Sequence, residues 1–407
     1  MTDAAPHSQA LAARAGETRR AFAQVDVHAS PDAILADWRD LAATAPASAY
    51  QTEAFVLAWL DTLGKARGLE PMFVTARDAA GRAIALLCLG IETHGGVRRA
   101  VFLGGKENNF NLGLFRVPDR FGRADIEALL REAARALGRR APDVFVLTNQ
   151  PRTWAGAANP FCQLTHQASP SYGYGTQLTA DPEAYFAARH SKERRKKLRK
   201  KEAHLARIGA LSHLCAADHD TLQAGLAAFL AQKQARCEAQ ALDADFSDPA
   251  VQAFYTKLAA PRPGAAPALE LHQLRCGSRI VAVFGGMRHR DQFSGMIISF
   301  DGDPEIARTS PGELLLTKAI ASECRSGVAG FDLGVGEADY KATYCETPIP
   351  LIDVLFPLSV KGALYAAALA AQLRFKRAIK QQPRFFSAVQ KLKRAVVRVK
   401  RRDRLSA

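Results

Sequence analysis

A tight turn, a helix and a strand between Thr309 and Lys341 form the stretch of the sequence best suited to chemistry. The turn Ser310-Pro311-Gly312 leads into a helical pattern, and the first backbone N–H groups of such a helix have no partner within it. Together with the positive end of the helix dipole, they form an anion site suited to a pyrophosphate. The residues that we expect to bind these phosphates are Arg308, Ser310, Gly312 and Glu313.

The same turn also has a purely structural explanation. Ser310 and Glu313 have the spacing of a helix-capping box, and Pro311 is favoured at the first helical position. No ligand is needed to explain these residues in that case. The position of the turn, after the third strand of a predicted β-β-β-α-β unit, favours the anion site.

Asp332 and Lys341 follow that helix, and their side chains could take part in catalysis. Transfer of a group to an amine or a hydroxyl needs a base that deprotonates this acceptor and groups that stabilise a developing oxyanion. Asp332, at the end of a predicted strand, could be the base or could orient the acceptor. Lys341 could supply positive charge to a phosphate or to the oxyanion. Each residue also has an ordinary structural role, as a turn cap or as a member of a surface ion pair.

A loop rich in asparagine in the first half of the chain is the candidate site for the acceptor. Amide side chains both donate and accept hydrogen bonds, which suits the hydroxyl groups of a sugar or a peptide. The residues that we expect to bind the acceptor are Lys106, Asn108, Asn109 and Asn111. Loops of this composition are also common as plain turns.

Apolar periodicity and turn residues predict the element order β-β-β-α-β twice. The segments are 72–76, 83–91, 98–103, 124–137 and 144–148 in the first half, and 269–274, 280–284, 293–300, 313–326 and 328–333 in the second. Corresponding turns at Gly81 and Gly277 lie about 200 residues apart, as expected for two domain-sized repeats. The predicted fold class is therefore α/β with mixed sheets, in two tandem domains with helices on both faces.

The length of the chain supports this division, because 407 residues exceed the usual size of one hydrophobic core. We predict a flexible N-terminus at 1–24, a first domain at 25–178, a second domain at 179–357 and a basic, amphipathic helical tail at 358–407. The first domain lacks the Ser-Pro-Gly turn. We therefore place the phosphate-bearing donor in the second domain and the acceptor side in the first.

The second half resembles the GNAT acyltransferase superfamily in this element order and in its motifs. The matching residues are Ser310-Pro311-Gly312 with Leu314 and Leu315, Phe331-Asp332-Leu333-Gly334, Gly336-Glu337 and Tyr340-Lys341. They look most like the acetyltransferase domain of cellulose-biosynthesis-associated proteins, relatives of the Fem-type peptidyltransferases, which also carry two GNAT copies. The resemblance covers residues 180–350, and in the first half it covers the topology and the stretch 104–111.

This resemblance implies acyl transfer from a CoA thioester, with acetyl-CoA or another acyl-CoA as co-substrate and no metal. It also implies that Tyr340 protonates the leaving thiolate, although a tyrosine at such a position is also common in a core. We expect an N- or O-acyltransferase acting on a cell-envelope polysaccharide, its precursor or an amine. Two alternatives stay open: Fem-like transfer from aminoacyl-tRNA, and a catalytically silent accessory protein of a polysaccharide synthase.

The net charge of +15 comes from two basic segments. Residues 189–207 carry +8 and residues 374–404 carry +12, so the rest of the chain is slightly acidic. The first segment is a predicted helix that could be solvated, contact the 3′-phosphate of CoA or bind RNA. The second mixes basic with apolar residues between 373 and 404, which suits an anionic membrane surface.

The sequence predicts a cytoplasmic protein that can attach peripherally to the inner face of the membrane. Residues 1–24 lack the apolar stretch of a secretion signal. The seven cysteines are scattered singly, which is typical of a reducing compartment and offers no zinc-binding pattern. The longest apolar run, 358–373, is too short to cross a bilayer.

Overall fold

The computed structural model describes residues 20–216, 218–240, 245–262 and 264–381, which form two mixed β-sheets with helices packed against them. This arrangement confirms the predicted α/β class with mixed sheets. Most of the predicted N-terminal segment, and residues 382–407 of the predicted tail, lie outside the described residues. The tail is helical where it is described.

The strands are numbered in chain order. They are β1 (Gln24–His28), β2 (Glu70–Arg77), β3 (Ala83–His94), β4 (Val97–Phe102), β5 (Leu114–Phe115), β6 (Val144–Pro151), β7 (Thr153–Trp154), β8 (Ala157–Ala158), β9 (His166–Ala168), β10 (Gly173–Gln177), β11 (Leu211–Cys215), β12 (Glu270–Cys276), β13 (Arg279–His289), β14 (Gln292–Phe300), β15 (Gly330–Val335), β16 (Thr347–Ile349) and β17 (Leu351–Pro357).

The helices are numbered in the same way. They are α1 (Leu35–Thr44), α2 (Glu53–Trp59), α3 (Arg123–Leu137), α4 (Pro182–Arg189), α5 (Lys192–Ile208), α6 (His219–Gln240), α7 (Pro249–Ala259), α8 (Pro304–Ala307), α9 (Pro311–Arg325), α10 (Asp339–Tyr344) and α11 (Val360–Lys380). None within the described ranges combines the length and the apolar character that crossing a bilayer requires.

The two sheets repeat one arrangement. The first has the order β1-β2-β3-β4-β6-β17-β9, with β5 paired to β3, and the second has the order β11-β12-β13-β14-β15-β10-β16. In each sheet the strand after the crossover helix runs parallel to the strand before it, β6 beside β4 and β15 beside β14. The order β-β-β-α-β predicted from the sequence is therefore present in both sheets, with α3 and α9 as the crossover helices.

Two strands cross the domain boundaries that the sequence predicts. Strand β10 precedes the predicted boundary at 178 but pairs with β15 and β16 of the second sheet. Strand β17 lies in the predicted second domain but pairs with β6 and β9 of the first sheet. The physical reason is that β6 and β15 would otherwise each expose an unpaired edge, and these two strands cover them.

The two halves also share a hydrophobic core. One cluster of buried side chains contains residues of α1, α2 and β3 together with residues of α6, α7 and β12. Phe55 of α2 packs edge to face against Phe254 of α7, with ring centroids 5.6 Å apart. This is a favourable aromatic geometry. The contact between the halves is thus packed like the interior of each.

Candidate functional site

Strands β14 and β15 separate at the centre of the second sheet. They pair at only three positions, of which the last joins Ser294 to Asp332, although β14 continues to Phe300. At the next residue, Gly295, a Cβ would lie 2.9 Å from the backbone oxygen of Asp332. Glycine therefore permits the close approach of the two strands just before they part. Asp332 lies at the base of the opening that follows.

A cleft of about 480 Å³, called here the α9 cleft, lies at the start of α9. Its wall includes Ser310 and Gly312 from the start of α9, Tyr340 from α10, Arg194 from α5 and Arg236 from α6. The turn predicted to bind phosphates thus opens on a cavity. Of the predicted residues, Ser310, Gly312 and Glu313 line it, whereas Arg308 is exposed outside its lining.

The capping-box interpretation of this turn is wrong. Ser310 has a φ of 54°, in the left-handed region, and its side chain makes no capping hydrogen bond. Its Oγ instead accepts a hydrogen bond from Nζ of Lys201 at 2.9 Å. The backbone oxygen of Ser310 accepts the N–H groups of Glu313 and Leu314, so the first free amide of the helix belongs to Gly312.

Helix α5 brings basic side chains to this turn. Ser191 caps the helix by accepting the N–H of Arg194, which is why the basic segment begins its helix there. Glu313 forms ion pairs with Arg194 at 2.5 Å and with Lys201 at 2.9 Å. Arg194, Lys201 and Arg236 thus bring three positive charges close to Gly312, against the two carboxylates of Glu313 and Asp339.

Asp332 is buried, with 4% of its surface exposed. The hydroxyl of Ser294 donates to its Oδ2 at 2.6 Å, and the N–H of Gly334 donates to its Oδ1 at 2.9 Å. Burial raises the pKa of Asp332 to about 7, although these two bonds and the charge of Lys341 act in the opposite direction. A carboxyl with such a pKa exchanges protons near neutral pH, as a general base must.

Lys341 lies close enough to Asp332 for their charges to interact. Its Nζ donates to the backbone oxygen of Val335 at 2.9 Å. Burial lowers the pKa of Lys341 to about 8, and the attraction of Asp332 opposes this shift. The structure therefore brings together Asp332 and Lys341, which the sequence predicted to act in one reaction.

The tyrosines of α10 lie on the α9 cleft. Tyr340, predicted to be a proton donor, is 37% exposed there, and desolvation of its hydroxyl raises its pKa. Tyr344 was not predicted as a site residue from the sequence, and its buried hydroxyl lies 2.7 Å from Oγ1 of Thr317. Tyr344 therefore ties α10 to α9, whereas Tyr340 faces the cavity.

A second cavity, called here the Asp332 cavity, has a volume of about 430 Å³. It is lined by Asp332, by Thr176 of β10, by Gln292 of β14 and by Trp154 of the β7–β8 hairpin. Trp154 is itself fixed, because its Nε1 donates to the backbone oxygen of Ala47 at 2.9 Å. Residues of both halves therefore enclose the space beside Asp332.

The side chains of the asparagine loop make bonds within the protein. Nδ2 of Asn108 donates to the backbone oxygen of Leu103 at 3.2 Å, and Nδ2 of Asn111 donates to that of Thr148 at 2.8 Å. Lys106 is exposed at the start of this loop. Acceptor binding by these residues stays a prediction.

Asn109 connects this loop to the candidate site. Its Oδ1 accepts the N–H of Val335 at 3.0 Å, and its Nδ2 donates to the hydroxyl of Tyr50 at 2.6 Å. Burial, reinforced by the charge of Asp332, raises the pKa of Tyr50 well above its usual value, so this phenol stays protonated. Tyr50 and Ser294 were not selected from the sequence, because their spacing gives no sign of the contacts that they make.

Within the described part of the chain, no three His, Cys, Asp or Glu side chains are grouped so that they could hold a metal ion.

The chain is similar to known proteins in one domain and in its fold. Residues 192–342, which span α5 to α10, match the family model described as acetyltransferase (GNAT) domain. No curated protein matches the sequence. Among solved structures, FemX superimposes with a TM-score of 0.54 at 9% identity, covering 81% of this chain and 97% of FemX.

A conserved protein of unknown function from Bacteroides thetaiotaomicron has the same fold. It superimposes with a TM-score of 0.51 at 12% identity, covering 82% of this chain and all of the other. At such low identity these two similarities show the fold alone. The GNAT domain match over residues 192–342 supports an acyltransferase, and the two structures support the fold on which it is built.

Proposed function

We propose that this protein is an acyl-CoA-dependent N- or O-acyltransferase whose acyl donor binds in the α9 cleft. The observation that carries the proposal is the position of this cleft. At this cleft the N–H of Gly312 is free at the start of α9, and the cations Arg194 and Arg236 lie on the wall. The cleft also lies within the region that matches the GNAT domain.

The phosphates of the donor lie at the start of α9 in this proposal. The N–H of Gly312 and the positive end of the helix dipole attract the diphosphate. Arg236 supplies a further positive charge on the cleft. Arg194 and Lys201 offset the negative charge of Glu313, which would otherwise repel the ligand.

In this proposal the reaction uses Asp332 at the base of the strand opening, Lys341 close to it and Tyr340 on the α9 cleft. The Asp332 carboxylate takes a proton from the amine or hydroxyl of the acceptor, whose nitrogen or oxygen then attacks the thioester carbonyl. The carbon–sulfur bond breaks, and the leaving thiolate takes a proton from Tyr340. Lys341 stabilises the negative charge that develops. The high pKa of Tyr340 keeps its proton available for this step.

The acceptor occupies the Asp332 cavity in this proposal. Polar groups such as Thr176 and Gln292 offer hydrogen bonds to hydroxyl groups, and the aromatic residue Trp154 also lines the cavity. The acceptor class that we propose is a cell-envelope polysaccharide, its precursor or an amine, on the basis of the resemblance to the acetyltransferase domain of cellulose-biosynthesis-associated proteins.

A second candidate function is aminoacyl transfer from tRNA. It is favoured by the outer face of α5, where Lys196, Lys197 and Lys200 are exposed and could neutralise phosphates of an RNA. The two functions differ in the molecule that binds at the start of α9.

Binding of acetyl-CoA to the full chain tests the leading proposal. A ligand that binds only the folded state at 100 times its Kd stabilises it by about 2.7 kcal/mol, so it raises the midpoint of thermal unfolding. Gly312→Glu places bulk and negative charge where the diphosphate would lie, and it should abolish the shift. Gly302→Glu is the matched control, because a side chain at Gly302 meets open space.

The outcomes separate the two functions. Acetyl-CoA should protect the amides of residues 310–316 from hydrogen exchange, and the Gly302→Glu protein should behave like the wild type. Unchanged affinity in the Gly312→Glu protein would exclude this site. Protection by aminoacyl-tRNA, with none by any acyl-CoA, would favour the second function.

A further inference from the structure

The outer face of α11 carries an apolar stripe that no part of the described chain covers. Its exposed residues follow one another at intervals of three or four and are Val360, Leu364, Ala367, Ala371, Phe375 and Ala378. The exposed fractions are 80% for Val360, 71% for Leu364 and 69% for Phe375. These are three of the six large apolar side chains exposed among the described residues. The exposure is therefore concentrated on one helix.

The opposite face of α11 fixes the rotation of the helix. At Gly362 a Cβ would lie 1.9 Å from the backbone oxygen of Asp143, so the helix rests directly on the first half of the chain. Ala366 is buried beside Val144 in a small apolar cluster. Arg377 donates to the hydroxyl of Tyr172 at 2.9 Å. Because this face is held along the helix, the stripe is directed outward.

The charges of α11 indicate what the stripe contacts. The helix contains five basic residues and no acidic residue, and two of the five form ion pairs with carboxylates elsewhere in the chain. Arg374 and Lys376 are exposed on either side of Phe375. A second copy of this helix would bring like charges together, which is unfavourable. An anionic surface would complement them.

We infer that the stripe of α11 is a contact surface for a membrane that contains anionic lipids. Its apolar side chains would enter the boundary between headgroups and acyl chains, and the flanking cations would bind the headgroups. The sequence placed membrane binding in residues 373–404, most of which lie outside the described residues. The stripe begins earlier, at Val360, and does not depend on the proposed acyl transfer.

Co-sedimentation of the full chain with vesicles tests this inference. Phosphatidylcholine vesicles with and without phosphatidylglycerol should be compared for the wild type and for the double variant Leu364→Glu, Phe375→Glu. Wild type should bind the anionic vesicles, and the double variant should lose about tenfold in partitioning, because it loses apolar contact and gains repulsion. Val117→Glu changes another exposed apolar residue, 43% exposed, and should bind like the wild type.

Thermal unfolding and acetyl-CoA binding show, independently of vesicle binding, whether each variant is folded. Both should be unchanged by the double substitution, because its two residues are exposed. The inference is overturned if the double variant binds anionic vesicles as well as the wild type does, or if wild type binds neither kind of vesicle. A wild-type dimer in solution that the double variant converts to a monomer would assign the stripe to a second copy, and this too would overturn it.

Discussion

The side chain of Asn109 binds the backbone of Val335 across the two halves of the chain, with its Oδ1 accepting the N–H at 3.0 Å. Val335 ends β15, three residues after Asp332. At Gly334, whose φ is 71°, a Cβ would lie 2.6 Å from the Asn109 amide. The first half of the chain thus packs tightly against the end of β15, the strand that carries the candidate base.

Asn109→Ala should slow the reaction without weakening donor binding. The substitution leaves the N–H of Val335 without an acceptor and the hydroxyl of Tyr50 without its donor, and we expect a stability loss of about 1–3 kcal/mol. Steady-state kinetics should show a lower kcat with an unchanged KM for the acyl-CoA, because the α9 cleft is not altered.

Asn111→Ala is the control for the Asn109 variant. Asn111 lies in the same loop and bonds to the backbone oxygen of Thr148, so its loss should lower stability and leave kcat unchanged. A wild-type kcat in the Asn109→Ala protein would contradict a positioning role.

Ser294→Ala should move the pH dependence of activity toward higher pH. The Ser294 hydroxyl donates to the Asp332 carboxylate and favours its ionised form, so its removal should raise the pKa of Asp332 further. The measurement is kcat/KM as a function of pH. Ser299→Ala is the control on the same strand, because the Ser299 hydroxyl bonds to Gln232 and not to Asp332. An unshifted acid limb in the Ser294 variant would exclude Asp332 as the base.

A plot of kcat/KM against pH for the wild type should be bell-shaped, with a narrow maximum between its two limbs. Asp332, with a pKa of about 7, must be ionised to act as a base, and Lys341, with a pKa of about 8, must be protonated to stabilise negative charge. Activity should therefore rise through the first value and fall through the second. Lys341→Met should remove the alkaline limb. Persistence of that limb would assign it to another group.

Asp332→Asn should change the pH dependence of stability as well as abolish activity. From about pH 4 to pH 7, folded wild type holds a proton at Asp332 that the unfolded chain has released. Wild-type stability should therefore fall as pH rises through this window and then level off. The asparagine variant lacks this loss. The free energy of unfolding of the variant minus that of the wild type should therefore be more positive at pH 8 than at pH 4, by on the order of a few kcal/mol. Urea denaturation at both pH values measures the difference, and equal values would show that Asp332 ionises freely.

Glu313→Gln should increase affinity for acetyl-CoA. The substitution removes the carboxylate that Arg194 and Lys201 neutralise, so both cations become available to the diphosphate. Calorimetric titration should show tighter binding with a steeper dependence on salt. Glu202→Gln removes a similar pair with Lys318 and should leave affinity unchanged. Weaker binding in the Glu313 variant would place the phosphates elsewhere.

The strand order was largely predictable because turns and apolar alternation are local signals. Gly81 and Gly277 both adopt positive φ in the predicted hairpin turns. The second strand of the second repeat was predicted to end at Phe284, yet β13 continues to His289 through Gly285 and Gly286. At Gly285 a Cβ would lie 2.3 Å from the Leu271 side chain, so glycine is required within the strand rather than ending it.

A helix start and a carboxylate on the strand that follows the helix could be located from the sequence alone, because the Ser-Pro-Gly turn and the apolar residues before Asp332 act within a few residues of chain. How these groups are used depends on contacts that form only in the folded protein. Lys201 takes the Ser310 hydroxyl that a capping box would have used, and Asn109 reaches Val335 from more than 200 positions away. Contacts between such distant residues depend on how the sheets pack, for which spacing along the chain carries no signal.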